Sequence, residues 1–272
     1  MIDAHFHIWQ LARGDYGWLT PELKPIYRDV TPQDWRSQAA RCNVSRGILV
    51  QAAPTEAETA FLLAQADEHR DAILGVVGWV DMAAADAPTR TDTLASNPLL
   101  LGLRPMLHDL PDPAWILDSR LGPALTAIEQ NGLTFDALIR PVHLPHILAL
   151  ARQRPELRIV IDHGAKPDIA AGIFQPWAAN MARIAEQTTA FCKLSGLMTE
   201  AGPHADQSRI QRFVDHLLTC FGSKRLLWGS DWPVLELAAD YRTWHGMATR
   251  MVPEQFHDDV FEETALVAYS RP

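Results

Sequence analysis

Two histidines lie two positions apart near the start of the chain, inside the short apolar run IDAHFHIW (residues 2–9). Because residues i and i+2 of a β-strand face the same side, His5 and His7 can converge on one point, and we expect Asp3 to lie one layer deeper on that side. Histidines in a protein core also alternate by chance. The spacing alone therefore does not distinguish a packed strand from half of a catalytic site.

Two further candidates stand at the ends of other apolar runs. His163 ends the run RIVIDHG, Asp231 ends the run RLLWGSD, and a proline that stops a strand follows soon after each. If the runs are neighbouring strands of a closed sheet, these side chains can meet His5 and His7 at one mouth of it. Each buried polar group would then supply a partner for another. The sequence predicts a catalytic cluster of these four residues.

The four side chains allow two kinds of chemistry. Three histidines and one aspartate are a suitable ligand set for one zinc or manganese ion with an open position for water, and the set would be His5, His7, His163 and Asp231. Without metal, Asp231 could take a proton from water while the histidines and a nearby cation polarise a carbonyl. Both alternatives stay open: no cofactor required, or one divalent ion bound optionally.

Three cations follow or lie on predicted strands, namely Arg104, Lys166 and Lys193. One such cation is usually a salt bridge or a solvated end, but three of them favour an anion or oxyanion site that contacts substrate. Arg104 is the strongest candidate because a guanidinium can grip a carboxylate or a pair of hydroxyls with two hydrogen bonds. Trp232, next to Asp231, is the aromatic residue best placed to stack on a sugar face, although core or lid packing is the alternative.

Eight short apolar runs must position these residues. Several are nearly continuous in apolar residues, which is typical of parallel strands covered on both faces, and helical patterns lie between them. In a chain of 272 residues this alternation predicts one distorted (β/α)8 barrel over residues 1–272. An open doubly wound sheet is the competitor, but no glycine-rich nucleotide motif follows a strand. We expect strands over 2–7, 47–51, 73–81, 100–107, 133–139, 158–164, 190–196 and 225–231.

Helix signals and long loops complete this prediction. Thr55 and Glu58 have the spacing of a capping box at the start of a helix over 55–70. The two other clear helical patterns cover 122–132 and 144–155. Three long connections should leave the carboxyl ends of strands, where barrel active sites are built, and form lids or specificity loops. These connections cover 9–29, 108–119 and 197–208.

Composition restricts the partners. A net charge of −9 and a pI near 5.6 argue against a nucleic-acid surface. No apolar run of membrane-spanning length and no signal-peptide pattern is present, so we expect a cytoplasmic protein that acts on a small molecule. The three cysteines are widely spaced without a CxxC pair, and we expect them to be reduced. A monomer and a homo-oligomer both stay open.

Several segments resemble the lactonase branch of the amidohydrolase superfamily, which holds L-fuconolactonase-like and L-rhamnonolactonase-like enzymes. They include IDAHFHIW, VVGWVDM, LGLRPMLHDLPDPAWIL, LTFDALIRPVHLP, IVIDHGAKPDIAAG and RLLWGSDWPV. The resemblance implies a distorted barrel that opens a small sugar-acid lactone, with Asp231 as the base towards water and Arg104 in contact with substrate. The superfamily's ligands from strands 4 and 5 are absent, so any metal should be single and dispensable.

The resemblance leaves rival functions. Lactones from aromatic degradation, such as a pyrone dicarboxylate or a muconolactone, carry carboxylates and would need more cations at the mouth. A decarboxylase of the same superfamily is disfavoured, because its strand-5 histidine is missing here. A barrel that binds a sugar acid without turnover is the non-enzymatic alternative, and it leaves the convergence of Asp231 with the histidines unexplained.

Overall fold

The computed structural model describes residues 1–203 and 205–271. Eight parallel strands pair in chain order, β1 with β2 and onward to β8. The amide of Asp231 then donates to the carbonyl of His5, and the amide of His7 donates to the carbonyl of Trp232, each at 2.8 Å, which joins the chain after β8 to β1. The predicted (β/α)8 barrel is confirmed. The strands are β1 Ile2–Phe6, β2 Arg46–Val50, β3 Ile73–Gly78, β4 Leu100–Leu103, β5 Thr134–Ala137, β6 Ile159–Ile161, β7 Phe191–Leu194 and β8 Leu226–Trp228.

Helices cover the outside of the barrel between the strands. The predicted helices over 55–70, 122–132 and 144–155 correspond to α2, α4 and α5. Within the described residues, none of the helices has both the length and the apolar character needed to cross a membrane. The α-helices are α1 Pro32–Ala39, α2 Glu56–Glu68, α3 Ala87–Ala95, α4 Gly122–Gln130, α5 Leu144–Gln153, α6 Trp177–Gln187, α7 Leu197–Ala201, α8 Gln207–Phe221, α9 Tyr241–Met251 and α10 Thr264–Ala268.

Apolar side chains form two layers. A large one lies between the strands and the surrounding helices. A smaller one fills the lower barrel interior, where α10 and Tyr269 close the bottom against residues such as Ile2, Val50 and Leu227. The upper interior is polar instead, because buried charged residues of β5 and β7 point into it. The barrel therefore has an apolar floor beneath a charged layer.

A bulge in β1 changes which way its side chains point. Between Asp3 and Phe6 the register with β2 slips, since β1 uses one more residue than its partner. Such a bulge breaks the two-residue alternation. The Asp3 carboxylate consequently accepts hydrogen bonds at 3.0 Å from Trp35 of α1 and from Tyr241 of α9, in the layer outside the barrel. The expectation that Asp3 lies beneath His5 on the same side is wrong.

The start of α2 departs from a complete capping box. Thr55 Oγ1 accepts from the amide of Glu58 at 3.0 Å, as predicted. The Glu58 carboxylate does not return to Thr55 but accepts from the amides of Ala52 and Ala53, at 3.0 and 2.7 Å, after β2. Burial raises the pKa of Glu58 to about 7 in spite of these bonds. Glu58 thus ties a helix to the loop that follows a barrel strand.

The three long connections lie at the carboxyl ends of β1, β4 and β7. The first carries Trp18 to the mouth of the barrel, and the second carries His108 there. The predicted connection over 197–208 contains α7, and its position 204 lies outside the described residues. The mouth is therefore walled by loops from at least two long connections.

Candidate active site

A cavity of about 190 Å³ opens at the carboxyl ends of the strands. Five of the residues predicted for the site line it: His7, Arg104, His163, Lys166 and Asp231. They come from the turns after β1, β4, β6 and β8, which is the arrangement expected of active sites in this fold. His5, Lys193 and Trp232 do not lie on the cavity wall.

Two of the lining residues have an unusual backbone. His163, in the 3₁₀ turn after β6, has φ of 54°, and Asp231, after β8, has φ of 58°. Residues other than glycine reach this region at a cost of about 1 to 3 kcal/mol, and such strain clusters at functional sites. Gly196 makes room for the imidazole, because a Cβ there would lie 2.7 Å from the ring of His163. The turns that carry His163 and Asp231 thus direct both side chains into the cavity, and the surrounding fold keeps these turns in place.

The four predicted residues converge on one another. Asp231 Oδ1 lies 3.3 Å from Nε2 of His7, 3.6 Å from Nε2 of His5 and 3.8 Å from Nε2 of His163. His5 Nε2 and His7 Nε2 are 3.2 Å apart. Ligands around one tetrahedral zinc ion are spaced by about 3.3 Å, given metal–ligand distances near 2.0 to 2.1 Å. In donor type and spacing, His5, His163 and Asp231 therefore fit a single divalent ion, and His7 adjoins two of them.

Hydrogen bonds to the far ring nitrogens constrain the tautomers. His7 Nδ1 lies 2.8 Å from the carbonyl of Val50, which can only accept, so the proton of the neutral ring is on Nδ1 and the lone pair is on Nε2. His163 Nδ1 lies 2.9 Å from Ser195 Oγ, a group able to donate or accept. Partners of this kind orient histidines in metal sites and in acid–base sites alike.

The charges of the cluster are set by burial and by its own members. Burial, the largest effect, would raise the pKa of Asp231, but His163, His7 and Lys166 together outweigh it and lower the pKa to about 2. Burial also holds the pKa of His5 and of His163 well below the usual range. Near neutral pH the site therefore presents an ionised carboxylate beside the neutral imidazoles of His5 and His163.

The three predicted cations already have partners. Arg104 is buried and donates to Asp162 Oδ2 at 3.1 Å and to the carbonyl of Gln51. Lys166 donates to Glu200 Oε1 at 2.9 Å. Lys193 lies in the barrel interior below the cavity, where it is fully buried. Only Arg104 and Lys166 reach the cavity wall, and each reaches it as half of an ion pair.

Trp232 turns away from the cavity, unlike its neighbour Asp231. Its indole Nε1 donates to Glu236 at 2.7 Å, and only 1% of the residue is exposed. Trp232 forms an isolated bridge with Phe6 of β1, whereas Asp231 before it has a left-handed backbone at φ 58°, so the two side chains do not follow strand alternation. Trp18 takes the place on the cavity wall instead, with its Nε1 donating to the carbonyl of Ala52 at 2.7 Å.

Sequence reasoning missed a group of polar residues that support the site. Asp136, Asp162 and Ser195 are fully buried at or just beyond the ends of β5, β6 and β7. In the sequence, such residues appear only as a polar residue inside an apolar run, as in TFDALI and IVID, beside residues that are predicted on other grounds. His108 and Asp109, which line the cavity, lie in a loop whose course the sequence does not specify.

The fold and the site define a (β/α)8-barrel enzyme whose histidines and carboxylate meet at the carboxyl ends of the strands. The chain belongs to the amidohydrolase family, whose profile matches residues 2–271. The resemblance seen in the sequence is thereby confirmed.

Individual relatives agree with this assignment. The chain is 48% identical over 246 residues to an L-fucono-1,5-lactonase of Burkholderia ambifaria, covering 89% of this chain and 84% of the relative. An L-fucono-1,5-lactonase of Burkholderia multivorans is 34% identical over 252 residues, covering 88% of this chain and 84% of the relative. The crystal structure of a Burkholderia multivorans amidohydrolase with bound Zn superposes with a TM-score of 0.93 at 31% identity, covering 100% of this chain and 99% of that one.

Proposed function

We propose that the protein hydrolyses a small sugar-acid lactone, with L-fucono-1,5-lactone as the first candidate and L-rhamnono- and galactonolactones as the next. The observation that carries the proposal is the ionised Asp231 on the cavity wall, beside the neutral imidazoles of His5 and His163. The names of the relatives supply the class of substrate. A carboxylate beside polar groups in a cavity suits the attack of water on an ester carbonyl.

The reaction follows from the positions of these groups. Asp231 takes a proton from water as the water oxygen bonds to the lactone carbonyl carbon. The carbonyl oxygen becomes an oxyanion, and it faces the histidine cluster with Arg104 behind it. The bond from that carbon to the ring oxygen then breaks, and the ring oxygen leaves as a hydroxyl after taking the proton from Asp231. The product is the open-chain hydroxy acid.

A metal is compatible with this site but is not required by the proposed mechanism. One zinc or manganese ion would be held by His5, His163 and Asp231, whose donor types and spacing fit it, and His7 beside His5 and Asp231 is the remaining predicted ligand. A bound ion of this kind polarises a carbonyl and acidifies water. The proposal therefore keeps a single divalent ion as optional.

The charges at the cavity favour a neutral lactone over a pyrone dicarboxylate. Among the lining residues that the structure describes, the lysine and the arginine are both in ion pairs, Lys166 with Glu200 and Arg104 with Asp162. A dicarboxylate would have to break these pairs or leave its own charges without partners, which is costly in a desolvated site. Trp18 and His108 on the wall offer a flat face and a polar ring to a polyhydroxylated ligand.

A hydrolysis screen tests the proposal. Purified protein is assayed with a pH indicator against L-fucono-, L-rhamnono- and D-galactonolactone and a pyrone dicarboxylate, with and without a chelator. We expect turnover of at least one sugar lactone and a weaker or absent reaction with the dicarboxylate. Turnover that survives chelation supports the metal-free mechanism, and loss on chelation assigns the four residues as ligands. Absence of turnover for every sugar lactone would contradict the proposed function.

A further inference from the structure

A charged layer lies inside the barrel directly below the cavity, and the proposed mechanism does not use it. It contains Lys193 from β7, Asp136 from β5 and Asp162 from the turn after β6, all with no exposed surface. Burying charges in this way is costly and is sustained only where each one is paired. The upper end of the layer contacts His5, which is itself fully buried below the cavity wall.

Lys193 contacts two hydrogen-bond acceptors and one further carboxylate oxygen, Asp162 Oδ1, with which it forms an ion pair without hydrogen-bond geometry. Its Nζ lies 2.6 Å from Asp136 Oδ2, 2.9 Å from Asp162 Oδ1 and 3.1 Å from His5 Nδ1. Between two carboxylates the amine is an ammonium, and an ammonium has no lone pair with which to accept. The contact with His5 is therefore a hydrogen bond from Lys193 to an unprotonated Nδ1.

The other ring nitrogen of His5 must then carry the proton. His5 Nε2 lies 3.2 Å from His7 Nε2, which has a lone pair because His7 Nδ1 donates to Val50. The result is a chain with one direction, from Lys193 to His5, from His5 to His7, and from His7 to the carbonyl of Val50. His7 Nε2 also lies 3.3 Å from Asp231 Oδ1, so in this chain its lone pair faces the carboxylate.

The opposite tautomer of His5 has weaker support. It would let Nδ1 donate to Asp162 Oδ1, but that distance is 3.6 Å. It would let Nε2 accept from Arg104 Nη1 at 3.4 Å, although this nitrogen already donates to Asp162 at 3.1 Å. It would also set the Lys193 ammonium against an N–H at 3.1 Å, and the lone pairs of His5 and His7 against each other at 3.2 Å.

We propose that Lys193 is a positioning residue that fixes the proton of His5 on Nε2, and that the histidine pair is thereby arranged to work without a metal. Bound to a metal through Nε2, His5 would have to lose that proton and His7 would have to release its lone pair. Lys193 therefore weakens metal binding at a site whose spacing otherwise fits an ion. This inference concerns the site of the proposed function, but its tests use no lactone, so the two can fail separately.

Nitrogen NMR of the histidine rings in the native protein tests the tautomer directly. Long-range proton–nitrogen spectra of histidine-labelled protein distinguish the two neutral forms, and the His5→Gln variant identifies the His5 signals. We expect the pattern of a neutral ring protonated at Nε2. A ring protonated at Nδ1, or at both nitrogens, would overturn the proposal, and this experiment needs no variant of Lys193.

Metal titration tests the consequence. In the double variant Lys193→Met with Asp136→Asn, the interior loses one charge of each sign, and Asp162 becomes free to accept from His5 Nδ1. Co²⁺, followed by its visible absorption, should bind about tenfold or more tighter than to the native protein, since partners of ligating histidines change metal affinity by about 10- to 100-fold. Equal or weaker binding by the folded double variant would overturn the proposal.

The matched control removes a second lysine–carboxylate pair near the same cluster. Lys166→Met with Glu200→Gln also deletes one charge of each sign, but neither residue touches His5. Because Lys166 also acts on the Asp231 carboxylate, we expect its Co²⁺ affinity to rise, but by less than that of the Lys193 double variant. An increase equal to that of the Lys193 double variant would show a general electrostatic effect and would also count against a role for the tautomer.

Discussion

At the scale of single residues, the site depends on a carboxylate that stays charged although it is buried. His163, His7 and Lys166 overcome the cost of burying Asp231, so its pKa falls to about 2. In the proposed reaction, a base this weak requires the oxyanion to be stabilised as the proton moves, so the polar groups around Asp231 should matter as much as its carboxylate.

Replacing Asp231 with Asn should remove the base while keeping the shape of the side chain. We expect the turnover number for the best sugar lactone to fall by about 10²- to 10⁴-fold, as is typical for loss of a general base. Asp67→Asn, which alters an exposed carboxylate of α2 paired with Arg70, is the control and should keep the native rate. Full activity of the Asp231 variant would exclude its role as the base.

At Gly196 the backbone passes directly beside the His163 ring of the candidate site. In Gly196→Ala the new methyl group would lie 2.7 Å from the His163 ring at a φ of 64°. We expect urea unfolding to show a loss of about 2 kcal/mol or more, together with a lower turnover number. Gly172→Ala shares the positive φ, at 69°, but meets no atom within 4 Å. It should lose only about 1 kcal/mol and keep its activity. Equal losses in the two variants would contradict a close contact at His163.

At the scale of elements, Glu58 links α2 to the loop after β2 through its buried carboxylate. Its folded pKa of about 7 exceeds the unfolded value of 4.5, so the folded state holds the extra proton between these values. Stability from this group is complete below pH 4.5 and is lost as the pH rises to 7, by up to about 3 kcal/mol.

The Glu58→Gln variant should lack this loss, because its amide does not titrate. Urea unfolding of the two proteins between pH 4.5 and 7 should therefore show the native protein losing stability relative to the variant as the pH rises. Glu68→Gln, at the exposed end of α2, is the matched control and should follow the native curve. Parallel curves for native protein and Glu58→Gln would show that Glu58 is not the cause.

The elements also show how far the sequence predicts this molecule. Apolar runs separated by helical patterns predict all eight strands and their order, because a strand that is buried on both faces consists almost entirely of apolar residues. The bulge in β1 has no recognisable pattern in the sequence, so Asp3 was expected on the wrong side. The same holds for Trp232 and Lys193, since proximity along the chain does not specify which side of the backbone a residue takes or what lies beneath it.

At the scale of the whole molecule, charge bears on the choice of substrate. The chain carries a net charge of −9, and the lysine and arginine among the described cavity-lining residues are in ion pairs. A neutral lactone should therefore react with a kcat/KM that changes less than about twofold between low and moderate salt, because screening acts only between charges. Steady-state rates at several NaCl concentrations check this. A steep salt dependence with a neutral lactone would indicate that an unscreened charge guides binding.

The hydrogen bonds that close the barrel involve the residues to which the proposed chemistry is assigned. The backbone of His5 and His7 is joined to that of Asp231 and Trp232. A fluctuation that parts the first strand from the last must also carry the two histidines away from the carboxylate. The candidate site is therefore assembled only while these backbone hydrogen bonds between the first strand and the residues after the last strand are intact. Exchange of the His7 and Asp231 amide hydrogens with deuterium would measure the free energy at which these hydrogen bonds open.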